Sequence, residues 1–338
     1  MNKNLIKKIT LGLLFPMMFS ANVSASDPMI GACKNWNVPE INRLIQSNMY
    51  INSIGEDGKT ALMYACINGH YFIAQSLISK GADIDAEDND GKTALMYACE
   101  YDRRNIVKLL LDNDADYEMD GNGAQDTILT YACCHNAIKV AQFLIDFGFE
   151  VDVKDSSGMT ALAWACSMGS TELVRLLIEN GADLNMKNAA GRTALMCACG
   201  SGNVDTVKLL FEYSWLDVIE RDNAGNTAFT CACYKGDKDV VKLFLDANPD
   251  YDVNEINNLE STALMVACES GNEEVVKLLL DTDNVSIRDV NLAGKTAFDI
   301  ARENNHDNIV RLLNRYEERK TREASDDEFR YYETSDFF

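Results

Sequence analysis

The sequence predicts an all-α solenoid of about nine stacked helix-turn-helix units joined by β-hairpin loops. Three observations predict it. The segment Gly58-Lys59-Thr60-Ala61-Leu62-Met63-Tyr64-Ala65-Cys66 returns unchanged at 91–99. The motif Thr recurs at 60, 93, 127, 160, 193, 227, 262 and 296, at intervals of 33, 34, 33, 33, 34, 35 and 34 residues. A fixed period of this length marks an array whose units stack on their neighbours. Nine residues after each Thr stands Gly69, Asp102, Asn136, Gly169, Gly202, Gly236, Gly271 or Asn305. These residue types tolerate the left-handed backbone that ends a helix.

The N-terminus reads as an export signal over residues 1–25. Lys3, Lys7 and Lys8 precede an apolar stretch, Ile9 to Phe19, that is too short to span a bilayer, and Val23-Ser24-Ala25 supplies a cleavage site. The expected mature chain begins at Ser26 and is periplasmic or secreted. Ile30-Gly31-Ala32-Cys33 resembles a lipidation box, but Asp27 and Pro28 separate it from the apolar stretch, and Cys33 falls on a repeat position. Counting back 33 residues from Thr60 reaches Asp27, so Asp27-Pro28 opens the first unit, with Asp as helix cap and Pro where its missing N–H costs nothing. Glu40 and Arg43 give that unit's second helix the polar face of an end cap.

Each following unit repeats one plan. The Thr caps a first helix carrying Leu and Ala. A second helix, such as Asn105 to Leu111, stops near Gly81, Asp114, Gly148 or Gly181. A turn-rich stretch such as Ala82 to Gly91 then alternates apolar and polar residues and closes on Asn-Asp-Gly, the pattern of a β-hairpin. At the last unit Ala301-Arg302 replaces the usual Ala-Cys, as expected where no further repeat follows. The array is assigned to residues 26–316. Residues 317–338 hold eight acidic and four basic residues without the repeat pattern and are expected to form a disordered tail.

The unit resembles the ankyrin repeat, whose marks are a Thr-Pro-Leu-His start, a Gly-His turn, a Val-Val-x-Leu-Leu-Leu helix and a Gly-Ala-Asp-x-Asn close. Gly69-His70 and Gly181-Ala182-Asp183-Leu184-Asn185 match closely. The Pro position holds Ala in every unit from Thr60 onward except Ile128, and the His position holds Met63, Met96, Thr130, Ala163, Met196, Thr230, Met265 and Asp299. The family's His-mediated loop hydrogen bonding is therefore expected to be missing. The resemblance implies a concave surface of first helices and hairpin tips on which a protein binds.

Several chemistries are excluded or disfavoured. With 53 acidic against 31 basic residues, a net charge of −22, the chain repels phosphate backbones, and nucleic acid is not expected as a partner. Three His (70, 135, 306) do not make a His-rich metal site, and no nucleophile–His–acid set or phosphate-binding Gly loop is visible. Cys33, Cys66, Cys99, Cys133, Cys166, Cys199, Cys233 and Cys268 share one repeat position. Equivalent helices lie about 8–10 Å apart, beyond the ~7 Å Cα limit of a disulfide, so this ladder is expected to be reduced and buried. Cys197/Cys199 and Cys231/Cys233 lie two apart and diverge on a helix. Asp116-x-Glu118-x-Asp120-Gly121 mimics a calcium loop but reaches Thr127 where a bidentate Glu is required, and Asp250-x-Asp252-x-Asn254 lacks its Gly. No cofactor, metal or catalytic residue is assigned.

The position four after the motif Thr is Tyr64, Tyr97, Tyr131 and Trp164, then Cys197, Cys231, Val266 and Ile300. An aromatic stripe there can serve as a binding surface, in which Tyr and Trp are enriched, or as packing between neighbouring helices. Hairpin residues differ from unit to unit, with Lys59, Lys92, Met159 and Arg192 as candidate contacts. The expected function is a non-enzymatic protein-interaction module or scaffold. The alternatives are a secreted host-directed effector that binds a eukaryotic protein and, less favoured, a cysteine-based redox or metal protein. The mature chain is expected to be monomeric, with no stable membrane insertion.

Overall fold

The computed structural model describes residues 27–117, 128–282 and 284–335, the last twelve as backbone only. The signal-peptide assignment over 1–25 and the motif Thr127 lie outside the described residues. Among those residues there are eighteen helices and no strand. They form nine pairs: α1 Pro28–Lys34 with α2 Val38–Gln46, α3 Ala61–Asn68 with α4 Tyr71–Ser79, and α5 Ala94–Glu100 with α6 Arg104–Asp112. Next come α7 Ile128–Cys134 with α8 Ile138–Phe147, α9 Ala161–Met168 with α10 Thr171–Glu179, and α11 Ala194–Ser201 with α12 Val204–Phe211. The last are α13 Ala228–Lys235 with α14 Lys238–Ala247, α15 Ala263–Ser270 with α16 Glu273–Leu280, and α17 Ala297–Glu303 with α18 Asp307–Ser335. The chain divides into two compact units, one of residues up to 98 with 105–115, the other of residues 99–104 with 116 onward.

The helices start and stop for local reasons. The Oγ1 of Thr60 accepts the Met63 N–H at 3.3 Å, and Thr160, Thr193, Thr227, Thr262 and Thr296 cap their helices in the same way. At the first repeat, the Asp27 carboxylate accepts from the N–H groups of Met29 and Ile30 ahead of α1. All eight residues expected to end a first helix have positive φ, from 54° at Asp102 to 83° at Gly236. The same position in the first repeat is Trp36, φ 51°, whose ring stacks on His70 at 3.9 Å. The missing family His is replaced in part: the sulfur of Met63 accepts the Thr60 N–H, Met196 does so for Thr193, and Asp299 takes both the N–H and the hydroxyl of Thr296.

The core is made where one pair meets the next. In the first unit Met29, Ile41, Leu62, Met63, Leu77, Ile106 and Leu110 are buried. In the second, the first helices α7, α9, α11, α13, α15 and α17 pack in succession. Phe229, Phe244 and Tyr251 form an aromatic knot there with centroids 5.0–5.2 Å apart, and the Tyr251 hydroxyl meets that of Thr227 at 2.8 Å. Every ladder cysteine is buried and none is in a disulfide. At the last unit Arg302 is exposed, and its guanidinium lies 4.7 Å from the Phe298 ring centroid.

Two expectations need correction. The hairpins do not build a β ladder: isolated bridges, Ile54 with Thr60 and Ile256 with Thr262, are all the pairing that forms among the described residues. Turn bonds close the loops before a second ladder pair is reached. The expected disordered tail at 317–338 is instead a continuation of α18 to Ser335. The segment holds no Gly or Pro, and Arg322 with Glu318, Arg319 with Glu323 and Lys320 with Glu323 are ion pairs at helical spacing. Residues 336–338, including Phe337 and Phe338, lie outside the described residues.

The ladder position sets a sharp contrast. Cys166→Asp should lower stability by about 3 kcal/mol or more, because it buries an unpaired charge. Arg302→Cys should change it by less than ~0.5 kcal/mol. Urea unfolding of both variants checks this, and equal damage at the two positions would contradict the end-cap assignment.

Candidate functional site

The surface most open to variation is formed by the first helices and the hairpin tips, and one residue type organises it. In the hairpin before α5, the Asp88 N–H donates to Lys92 O at 3.0 Å, and Asp88 O accepts the Gly91 N–H at 3.0 Å. Asp88 Oδ1 also accepts the N–H groups of Asp90 and Lys92, both at 2.9 Å. Asp155, Asn188, Asp222, Asn257 and Asn291 close their turns with the same set of bonds. A short polar side chain that bonds its own backbone two residues on is favoured for this task. Glycine follows where neighbouring tips approach: a Cβ on Gly158, φ 71°, would lie 2.5 Å from Ala189 N.

The tips are tied together by backbone bonds. In the first unit, Asn89 N–H donates to Asp57 O and its side-chain amide to Glu56 O. In the second, Ala189 N donates to Ser157 O, Asn223 N to Ala190 O, Asn258 N to Ala224 O and Leu292 N to Leu259 O, at 3.0–3.2 Å.

The second oxygen of the turn carboxylate reaches the aromatic stripe. Tyr97 donates its hydroxyl to Asp88 Oδ2 at 2.5 Å, and Trp164 donates Nε1 to Asp155 Oδ2 at 2.6 Å. Tyr64 uses Asp57 at 3.2 Å, and Tyr131 uses Glu100 at 3.5 Å. Tyr97 is only 5% exposed, so it packs within the first unit; Tyr64, Tyr131 and Trp164 are half-buried. Burial and the neighbouring Asp88 push the Tyr97 hydroxyl up to about 12, and burial with Asp57 does the same for Tyr64. Burial opposes the charge on Asp88, but hydrogen bonds from Tyr97 and the backbone, with Lys59 nearby, hold its carboxyl below its ordinary value.

The hairpin candidates separate in the same way. The Lys59 ammonium sits 3.1 Å from Asp57 and 3.7 Å from Asp88, and both Lys59 and Lys92 approach the Tyr97 ring, at 5.5 and 5.4 Å. Met159, expected at a variable tip, is instead 8% exposed and meets the Asn188 amide through its sulfur, because the turn folds it inward. Arg192 keeps half of its side chain in solvent and lies 3.5 Å from Asp222. Exposed residues cluster at the ends of first helices and just after them, ahead of the left-handed turn, among them Asn68, Tyr101, Met168, Tyr234 and Lys235. The signal for them in the sequence is variation at the seventh and eighth residues after the motif Thr, just before a fixed Gly, Asn or Asp.

The thiols are set up for packing. Burial pushes Cys33 and Cys268 up to about 12 and Cys231 to about 11, so they carry protons at neutral pH. Cys134 is half-buried, with Sγ 3.1 Å from His135 Nδ1. Among the described residues no three His, Cys, Asp or Glu side chains gather as metal ligands, and no helix is long and apolar enough to cross a membrane.

Paired helices stacked through a regular short-loop frame define a repeat-solenoid binding scaffold. A family model for ankyrin repeats in three copies matches residues 29–121, 118–188, 182–255 and 249–323, and the chain belongs to the ankyrin-repeat family. Such repeats indicate a protein–protein interaction module. No curated protein matches the chain significantly.

Two outcomes follow from this geometry. Trp164→Phe should cost about 1–2 kcal/mol by leaving Asp155 Oδ2 without the indole donor, and Trp164→Ala about 3–5 kcal/mol by also removing the ring. Chemical unfolding reads both, and a silent Trp164→Phe would show that the carboxylate does not anchor the stripe. The raised thiols and tyrosines favour their protonated forms in the folded state. Stability is therefore complete below about pH 9, the ordinary thiol value, and is lost as pH rises through 11 to 12. Urea midpoints measured from pH 8 upward should fall above pH 9, less so in Cys268→Ala; a flat profile would contradict the burial.

Proposed function

We propose that the chain is a non-enzymatic scaffold that holds a protein partner on its first-helix and hairpin-tip side. The observation that carries this reading is the division of labour within each repeat. Caps, turn carboxylates and ladder cysteines are spent on the frame, while the exposed positions before each left-handed turn and at the tips change from unit to unit. A frame that is fixed while its exposed positions vary is what a specific protein surface requires. Tyr64 and Lys92 in the first unit, and Tyr131, Trp164 and Arg192 in the second, offer direct contacts. Tyr97 and Lys59 in the first unit and Met159 in the second are mostly covered and serve the frame of their own unit.

Residues 1–25 carry the pattern of an export signal, so the partner is proposed to be periplasmic or extracellular. The same signal leaves room for a second reading, a secreted effector directed at a host protein. Periplasmic and culture fractions separate the two.

The test places a photo-crosslinking residue at Tyr101, Met168 or Tyr234, and at Phe72 on a second helix as control. One protein from the periplasmic fraction should crosslink at the first-helix positions at least about tenfold more than at Phe72. Equal labelling at all four positions would count against a dedicated surface.

A further inference from the structure

The hairpin tips are not uniform. Most described tips place small or polar residues at their two outermost positions: Glu56 and Asp57, Asn89 and Asp90, Ser156 and Ser157, Ala189 and Ala190, Asn223 and Ala224. The last two place Leu there. Leu259 is 63% exposed and Leu292 64%, with Ile256 at 45% and Val290 at 53% on equivalent positions of the same two hairpins. The Leu292 N–H donates to Leu259 O at 3.0 Å, which sets these tips side by side in the second unit. The Arg221 guanidinium bonds Ile256 O at 2.5 Å and Glu255 at 3.2 Å, which fixes the start of the penultimate hairpin. Four large aliphatic side chains thus stand on a backbone held by turn bonds, and none of them is used by the core.

The charge around this ridge selects what can cover it. Residues 251–296 hold nine acidic and three basic residues. The bases are already committed: Lys277 to Glu273 and Glu274, Arg288 to Glu317, and Lys295 to Glu303. Glu260 follows Leu259, Asp289 precedes Val290, and among the described residues neither has an ion-pair partner. An anionic bilayer or nucleic acid meets repulsion at such a surface, and so does a second copy of this acidic chain. An apolar segment flanked by Lys or Arg meets both complementary charge and aliphatic anchors.

We propose that the ridge of Ile256, Leu259, Val290 and Leu292 is the docking site for a basic amphipathic polypeptide segment, which buries aliphatic side chains against the ridge while its cations face Glu260 and Asp289. This rests on the reading of the array as a protein binder and gives that reading a location and a partner chemistry.

The test uses the whole protein and fluorescent amphipathic peptides, one of leucine and lysine, one with serine in place of leucine, and one with glutamate in place of lysine. Binding is read by anisotropy at physiological salt. The leucine–lysine peptide should bind, and the charge-neutral double change Leu259→Ser with Leu292→Ser should weaken it about tenfold or more. Phe72→Ser, at an exposed aromatic in the other unit, should leave it unchanged. Glu260→Gln with Asp289→Asn should weaken it about threefold or more and flatten its salt dependence. Equal binding by the serine–lysine peptide would overturn the proposal as mere charge attraction. So would binding by the glutamate peptide, full binding by the Leu-to-Ser variant, or a concentration-dependent dimer in sedimentation that the Leu-to-Ser change abolishes. A partner that crosslinks at Tyr101 and Tyr234 and is still captured by the Leu-to-Ser variant would remove the ridge and leave the binding function of the array intact.

Discussion

A single helix pair of this chain cannot bury its own apolar faces; everything else follows from that constraint. The Ala and Cys at adjacent positions of each first helix, such as Ala165 and Cys166 or Ala198 and Cys199, are fully buried, and their small size lets successive helices approach. The frame must therefore be regular to within one residue. That explains why caps and left-handed turns recur so strictly, and why eight cysteines can share one position without being a chemical site. Their thiols behave as small apolar groups because burial holds the proton on.

The turn residue couples this frame to the exposed side. In the hairpins before α5 and α9 the residue is Asp, and its spare oxygen takes the Tyr97 hydroxyl or the Trp164 indole. Where the stripe residue is Cys197, Val266 or Ile300, with no O–H or N–H on its side chain, the turn residue is Asn188, Asn257 or Asn291. Asp222 stands before Cys231, and its carboxylate faces Arg192 of the preceding repeat instead. The aromatic residues of the stripe thus belong partly to the scaffold. Binding and packing are not alternatives for a half-buried Trp164 whose ring edge is held from below.

How much of this was legible in the sequence depends on the range of the interaction. Thr60 as a cap, Gly69 or Asn136 as a left-handed stop and Asp27-Pro28 as the opening of the first repeat are demands of local backbone geometry, and the residue types state them directly. The nine-residue link from Asp88 to Tyr97 was hidden because Asp88 already had a sufficient role in its own turn. Met159 looked like a variable tip residue; its burial depends on Asn188, 29 residues away. The hairpins read as β ladders because alternation and an Asn-Asp-Gly turn are shared by ladders and by isolated tight turns. The segment after Tyr316 lost the repeat pattern but not helix-forming composition, so the last helix continues as a charged one.

The open end of the array has a consequence for assembly. Contacts between whole molecules that repeated the contact between successive helix pairs would be head to tail, and contacts of that kind propagate unless they close into a ring. Arg302 would oppose such a contact. Docking another chain's first repeat there would strip water from a guanidinium that now lies over Phe298 at the solvent edge. One charged residue in place of the ladder cysteine thus makes this face costly to cover.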